Sequence, residues 1–422
     1  MRIAMISAHS SPLATLGGKE AGGMNVYVRE LSRELGRRGV AVDIFTRLQD
    51  PSVPTVVALD RNARVINLRA GPPAPYNKNW LLDHLPEFIN HVRCFADGQD
   101  LEYDLIHSHY WLSGEAALAL RRAWGAPVVH MAHTLGALKN RVARSAEERE
   151  TERRIAIERR IAHAVDALVA ATPQDMADLI WLCGAARDRV RVIPCGVDLR
   201  RFQPRDSAVA RAALGLPPAP HRLLLLVGRI EPLKGIDALI EAVALLRARR
   251  PEWRDDLSAL VVGGAAEHER SAWNAEQRRL HALRVARGVE RQVRFLGAQS
   301  HDRLPLFYAA ADVVTMPSHY ESFGMAALEG MACGRPVVAT CAGGPTYTIA
   351  DGISGLLTPP GDPVALTDRL EQVLADPALA GSLGAAARAR AQRFGWPAVA
   401  GEVLDLYCAT IEAAVGARAI AV

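Results

Sequence analysis

The strongest constraint on this chain is an alternation that runs through it twice. Short runs of β-branched and aliphatic residues alternate with longer segments whose apolar residues recur at helical spacing. That is the signature of a doubly wound α/β fold with parallel strands. In the first half the strand candidates are Arg2–Ser7, Val40–Thr46, Leu105–Ser108, Val128–Met131, Ala167–Ala171 and Val190–Ile193, and helical patterns such as Val26–Arg38, Gly114–Trp124 and Glu147–His163 lie between them. The pattern then restarts with Arg222–Val227, Leu257–Val262, Val293–Leu296, Asp312–Met316, Pro336–Ala339 and Gly355–Leu357. Between the two sets lie Pro194-Cys195-Gly196-Val197-Asp198 and a polar stretch ending in Pro217-Pro218-Ala219-Pro220. Such proline and glycine density marks a domain boundary. The expectation is two Rossmann-like domains, 1–198 and 199–395, and a last helix over 396–415 with Val399, Val403, Leu406, Tyr407 and Ile411 on its apolar face.

Composition narrows the class. At 422 residues the chain has room for two or three domains of the usual ~100–200 residues. Half of it is apolar, which excludes wholesale disorder. Fifty basic residues against 46 acidic ones give a net charge of +4, too small an excess for a nucleic-acid coat. The six cysteines (Cys94, Cys183, Cys195, Cys333, Cys341 and Cys408) form no C-x-x-C pair, so reduced thiols in a cytoplasmic protein are expected rather than a disulfide framework or a zinc knuckle. No basic-apolar-small leader precedes the first strand. No apolar run reaches the ~18 residues of a membrane span. Lysine occurs only four times, at Lys19, Lys78, Lys139 and Lys234, so arginine carries the ordinary surface charge and each lysine draws attention.

Ligands of doubly wound sheets sit beyond the carboxyl ends of the strands, and four motifs fall there. Gly22-Gly23-Met24-Asn25 follows the first strand and opens a helix, where backbone N–H groups favour an anion. No G-x-G-x-x-G string follows any strand, which counts against a dinucleotide enzyme. Gly228-Arg229-Ile230-Glu231-Pro232-Leu233-Lys234-Gly235 brings two cations to a helix start, a setting for a departing pyrophosphate more than for a solvated loop. In Pro317-Ser318-His319-Tyr320-Glu321-Ser322-Phe323-Gly324-Met325, a loop glutamate precedes a helix that carries Glu329 among small and apolar residues. A carboxylate placed there needs hydrogen-bond donors. Vicinal sugar hydroxyls would serve, and so would a structural arginine. The last group is His107-Ser108-His109-Tyr110-Trp111 with His130-Met131-Ala132-His133-Thr134, at two adjacent strand ends. Its spacing selects no metal geometry, and no metal ligand is assigned. Of Arg153 and Arg154, in a helix laced with glutamates, one could turn inward.

Together, Gly22-Gly23, Gly228-Arg229 with Lys234-Gly235, and Glu321-Ser322-Phe323-Gly324 with Glu329 resemble the retaining, nucleotide-sugar-dependent glycosyltransferases of family 4. The resemblance spans nearly the whole chain. It implies the GT-B architecture, an α/β fold of two Rossmann-like doubly wound domains with a cleft between them and the C-terminal helix crossing back onto the first. It implies that Arg229 and Lys234 hold the donor diphosphate, with Gly23 also touching it. Glu329 would bind the ribose, Glu321 with Phe323, Gly324 and Met325 the sugar, and His133 the sugar near the scissile bond. His133, Arg229, Lys234 and Glu321 are the implied catalytic set.

Within the family, His9-Ser10-Ser11-Pro12-Leu13, Gly22-Gly23-Met24-Asn25-Val26-Tyr27-Val28, His109-Tyr110-Trp111 and His133-Thr134-Leu135 with Lys139-Asn140 are most similar to the branch that glycosylates inositol 3-phosphate at the start of mycothiol synthesis. That likeness implies an acceptor phosphate held by Lys78, Tyr110, Thr134 and Arg154, with His9 and Asn25 near the inositol ring. It implies UDP-N-acetylglucosamine as donor. Gln299, Lys234-Gly235 and Gly343-Gly344-Pro345 depart from that branch. The sucrose-phosphate-synthase-like branch, transferring from UDP-glucose or GDP-mannose to a hexose 6-phosphate, is therefore the alternative. From another class, a UDP-N-acetylglucosamine 2-epimerase would use the same layout with no acceptor clamp. The expected mechanism needs no cofactor. Bound Mg²⁺ is left open, although no Asp-x-Asp pair marks a catalytic ion. Expected partners are the nucleotide sugar and the phosphorylated acceptor, with no nucleic acid and no membrane span; a homodimer is left open. Two linked domains also predict closure on the donor, hinged over 194–220.

Overall fold

The structure is a computed structural model that describes residues 1–14, 22–74, 76 and 80–420. The described chain divides into two compact units, one of residues 1–14, 23–195 and 396–420, the other of Gly22 and residues 196–395. The division falls at Gly196, a few residues before the expected boundary.

The N-terminal unit is built on an eight-stranded sheet. Its strands are β1 (Arg2–Ile6), β2 (Ala41–Arg47), β3 (Val56–Asp60), β4 (Ala63–Leu68), β5 (Leu105–His109), β6 (Val128–Met131), β7 (Ala167–Ala170) and β8 (Val190–Val192), in the order β3-β4-β2-β1-β5-β6-β7-β8. All neighbours run parallel except β3 and β4. Helices cover both faces of such a sheet, so its inner strands are apolar throughout. Ile3, Ala4, Met5 and Ile6 are accordingly all fully buried.

β3 and β4 depart from the expected all-parallel pattern. β3 is a half-exposed edge strand, and β4 carries Arg64 and Asn67 among its apolar residues, so neither reads as an uninterrupted run. Arg64 is held by Asp43 of β2 at 2.6 Å. The expected helix Glu147–His163 is also shorter. A separate turn, Ala146–Glu148, precedes it, and the helix proper is Glu152–Ala164, started by the Thr151 hydroxyl accepting from the Arg154 amide.

The C-terminal unit carries a six-stranded parallel sheet of β9 (Arg222–Val227), β10 (Leu257–Ala266), β11 (Val293–Gly297), β12 (Val313–Met316), β13 (Val337–Thr340) and β14 (Leu356–Thr358), ordered β11-β10-β9-β12-β13-β14. β10 outruns its expected end at Val262 because an irregularity between Gly263 and Ala266 lets it follow β11 further. Leu224, Leu226, Val261, Phe295, Val313 and Val338 form the sheet side of the core, and Leu239, Ile240 and Val243 of the helix Ile236–Arg249 pack onto it.

The last helix, Trp396–Ile420, belongs to the N-terminal unit. Val399, Val403 and Tyr407 of its expected apolar face are buried, while Leu406 and Ile411 are half-buried. Trp396 stacks edge-on to Tyr27, and the Tyr407 hydroxyl meets His107 Nδ1 at 2.6 Å.

Candidate active site

In the N-terminal unit, the polar residues gather just past the ends of β5 and β6. Tyr110 and His133 sit there with φ of 74° and 58°; apart from Asp100, they are the only non-glycine residues with positive φ among the described residues. Such backbone costs of order 1–3 kcal/mol each and persists only where the surroundings hold it. Here the Tyr110 amide donates to the Met131 carbonyl at 2.9 Å, and a buried guanidinium lies against its side chain. Arg154 is fully buried, and its Nη1 donates to the Tyr110 hydroxyl at 2.8 Å. Its Nη2 donates to the Thr134 carbonyl at 3.0 Å and hydroxyl at 3.2 Å. Glu158 at 2.6 Å and Glu150 at 2.8 Å balance its charge. Burial works against that charge, but Tyr110, Glu158 and Glu150 outweigh it and hold the guanidinium above its ordinary pKa range.

Of the two neighbouring arginines it is thus Arg154 that turns in, while Arg153 is exposed. The His9 ring lies 4.4 Å from the Tyr110 ring, and Asn25 Nδ2 donates to Ser10 Oγ at 2.6 Å and to the Ser11 carbonyl at 2.7 Å. His9, Tyr110, Thr134 and Arg154 therefore form one contiguous group, with Asn25 fastening the loop that carries His9. Gly23 is the exposed first residue of the helix Gly23–Arg37. Lys78 lies outside the described residues.

The histidines pack together as well. His109 Nδ1 meets His133 Nε2 at 3.0 Å, and Ser108 Oγ meets His130 Nδ1 at 2.8 Å. Burial pushes His130 and His133 down to about 3, and it drives His107 and His109 well below the ordinary imidazole range. All four are neutral at physiological pH, so His133 can offer or accept a hydrogen bond but not a full charge. Among the described residues no three His, Cys, Asp or Glu side chains are grouped to hold a metal.

In the C-terminal unit the charges lie at the ends of β9 and β12. Arg229 pairs with Glu231 at 2.7 Å, and both are more than a third exposed. Lys234 pairs with Glu321 at 2.5 Å, so two residues assigned to different parts of the donor touch each other. Gly235 has φ 62°, and a Cβ there would sit 2.0 Å from the Pro317 carbonyl oxygen, which explains glycine after Lys234 in this chain. Gly343 and Gly344 have a comparable reason. A Cβ on either would lie 2.2 Å from the Glu321 oxygen or 2.3 Å from the Phe323 Cα, and the Gly344 amide donates to the Glu321 carbonyl at 2.7 Å. These glycines let a second loop brace Glu321–Phe323 from beneath. Phe323 is buried against Phe394. The helix Met325–Ala332 starts at Gly324 with no side chain capping it, which leaves its first amides for a ligand.

Glu329 is buried, and among the described residues it is a tyrosine and a histidine that hold it, not an arginine. Tyr308 donates to Oε2 at 2.7 Å, and His301 Nε2 stands 3.3 Å from Oε1. Sequence reasoning missed both, as it missed the pairing of His109 with His133. The second was legible, because residues two apart on a strand share a face and His107 and His109 stack at 4.2 Å. The first was not, since His301 and Tyr308 reach Glu329 from a different segment. Gln299, a departure from the family branch, donates to the Leu296 carbonyl at 3.1 Å.

Comparison with known proteins shows that the chain is a glycosyltransferase. The description "Glycosyltransferase Family 4" matches residues 21–201, and "Glycosyl transferases group 1" matches residues 214–390. The chain belongs to the family 4 glycosyltransferases, with the two Rossmann-like domains of the GT-B class. Its relatives include the D-inositol 3-phosphate glycosyltransferase of Saccharomonospora viridis, 43% identical over 96% of this chain and 93% of the relative. The protein of the same name from Corynebacterium jeikeium is 41% identical over 96% of both. Among solved structures, sucrose-phosphate synthase from Thermosynechococcus elongatus superposes with a TM-score of 0.89 at 37% identity, covering 98% of this chain and 99% of that one. Among the described residues no helix is long and apolar enough to cross a membrane.

Proposed function

We propose that this glycosyltransferase moves N-acetylglucosamine, with retention, from UDP-N-acetylglucosamine to 1D-myo-inositol 3-phosphate. The observation that carries the acceptor half is the buried Arg154 with Tyr110 and Thr134 gathered on it. Arg154 itself is enclosed, so it orders the Tyr110 and Thr134 hydroxyls that would meet a phosphate monoester and lends them its charge. Relatives that align along nearly the whole chain are named for this acceptor. Lys78 would supply a further charge, and His9 and Asn25 would face the polyol. The C-terminal unit would hold the donor, with Arg229 and Lys234 on the diphosphate, Glu321 and the amides at 323–325 on the sugar, and Glu329 on the ribose. Gly23 would touch the diphosphate and His133 the transferred sugar.

In the reaction the anomeric carbon loses its bond to the diphosphate oxygen and gains one to the acceptor oxygen on the same face. The acceptor proton passes to the leaving diphosphate. Arg229, Lys234 and the open helix start at Met325 stabilise the charge that develops there. Lys234 already faces Glu321, so phosphate would take other N–H donors of the same ammonium. No step uses a metal, and turnover in excess EDTA is expected to be undiminished. With no disulfide formed by any of its six cysteines, the protein is read as cytoplasmic.

The structural likeness to sucrose-phosphate synthase supports a second reading, transfer to a hexose 6-phosphate. A matrix of UDP-N-acetylglucosamine, UDP-glucose and GDP-mannose against inositol 3-phosphate, fructose 6-phosphate and glucose 6-phosphate separates them by nucleotide release. The first reading expects turnover with inositol 3-phosphate to dominate. Dominant turnover with fructose 6-phosphate would replace it with the second. UDP formed equally fast without acceptor would point to an epimerase instead.

A further inference from the structure

We infer that Tyr308 and His301 are positioning residues that aim the Glu329 carboxylate and thereby set recognition of the donor's ribose. The inference rests on the reading that Glu329 binds ribose hydroxyls.

The protons in this cluster can be assigned from chemistry alone. A guanidinium can only donate. Arg201 Nη1 contacts His301 Nδ1, so that nitrogen is the acceptor. The imidazole proton therefore lies on Nε2, which points at Glu329 Oε1 from 3.3 Å. On the other oxygen, burial first and the adjacent carboxylate second drive the Tyr308 phenol well above its ordinary range, so it stays a donor. Each carboxylate oxygen thus receives one donor from the chain, and each has two lone pairs. A vicinal diol offers two donors at matching spacing.

The rings are themselves fixed. Phe202 is buried and meets His301 at 5.1 Å and Tyr308 at 5.8 Å, both edge-on. Arg201 is anchored by Asp302 at 3.3 Å and lies 3.8 Å from Asp198. A carboxylate on a freely rotating side chain would have to be ordered by the ligand. One held at both oxygens is already ordered, and the ligand is spared that entropy.

The test compares binding of UDP with binding of 2′,3′-dideoxy-UDP, by calorimetry on the full chain. The unaltered protein should prefer UDP. Tyr308→Phe should shrink that preference about tenfold by weakening UDP alone, the scale of one hydrogen bond to a charged group. His301→Phe should do the same to a smaller degree, and His301→Gln, which keeps a donor near the Nε2 position, should restore most of the preference. Equal weakening of both nucleotides, or an unchanged ratio in both Tyr308→Phe and His301→Phe, would overturn the proposal. Thermal unfolding of each variant checks folding; if Tyr308→Phe does not fold, the His301→Phe and His301→Gln pair decides. Should Glu329→Gln keep the full preference for UDP, the ribose reading of Glu329 itself falls, and this inference with it.

Discussion

The two units handle the charges of their candidate functional residues in opposite ways. In the N-terminal unit the one arginine of the proposed acceptor group has no exposure, and carboxylates, hydroxyls and a carbonyl already surround it. In the C-terminal unit Arg229 is partly open to water and, among the described residues, has a single ion-pair partner, Glu231. A cation already enclosed by the protein holds shape, because removing it strands buried partners. A cation paired at the surface can meet a ligand at little structural cost. The first should therefore fail by losing structure and the second by losing rate.

The sharpest way to break that contrast is Arg154→Met. Removing one member of a buried charge group costs about 3–5 kcal/mol, which should lower the thermal midpoint by about 10 °C. A midpoint unchanged within error would show that the cluster is not structural. Next in size, Arg229→Ala should lower kcat about 10²-fold. Its partner is exposed, so its unfolding free energy in urea should move by no more than about 0.5 kcal/mol. Full turnover would remove Arg229 from the diphosphate. Gly235→Ala should destabilise by about 2 kcal/mol, because φ 62° and the Pro317 oxygen both oppose a Cβ there. It should also raise the donor KM by tilting Lys234.

The last effect is absent at neutral pH and appears only on acidification. Burial lowers the folded-state pKa of His130 to about 3, while an unfolded histidine titrates near about 6.5. Between those values the unfolded chain binds a proton that the folded one does not, so stability is complete above about pH 6.5 and falls as the pH drops. His130→Gln should flatten the acid limb of stability by up to about 1.4 kcal/mol per pH unit. An unchanged slope would mean that His130 is protonated in the folded state.

How much of this was legible in the sequence depended on how far apart the cooperating residues lie. Twelve strands announced themselves because parallel strands buried on both faces are continuous apolar runs, as at Leu223–Leu226. β3 and β4 did not, since an edge strand and its neighbour mix polar residues into the run. The motif residues were visible as motifs, but what each one touches was not. Tyr110, Thr134 and Arg154 come from three segments, and their meeting is a product of the sheet order β5-β6-β7. The partners of Glu329 were hidden for the same reason. A lone histidine and a lone tyrosine carry no local signal that they will converge on one carboxylate.

The return of the helix Trp396–Ile420 to the first unit has a consequence for biosynthesis. The ribosome must finish the whole of residues 196–395 before Tyr407 can reach His107, so the first half of the protein is also the last to be completed. Until then the floor beneath the histidine cluster is missing, and a nascent chain halted before Trp396 would leave Tyr27 and His107 without the rings that cover them.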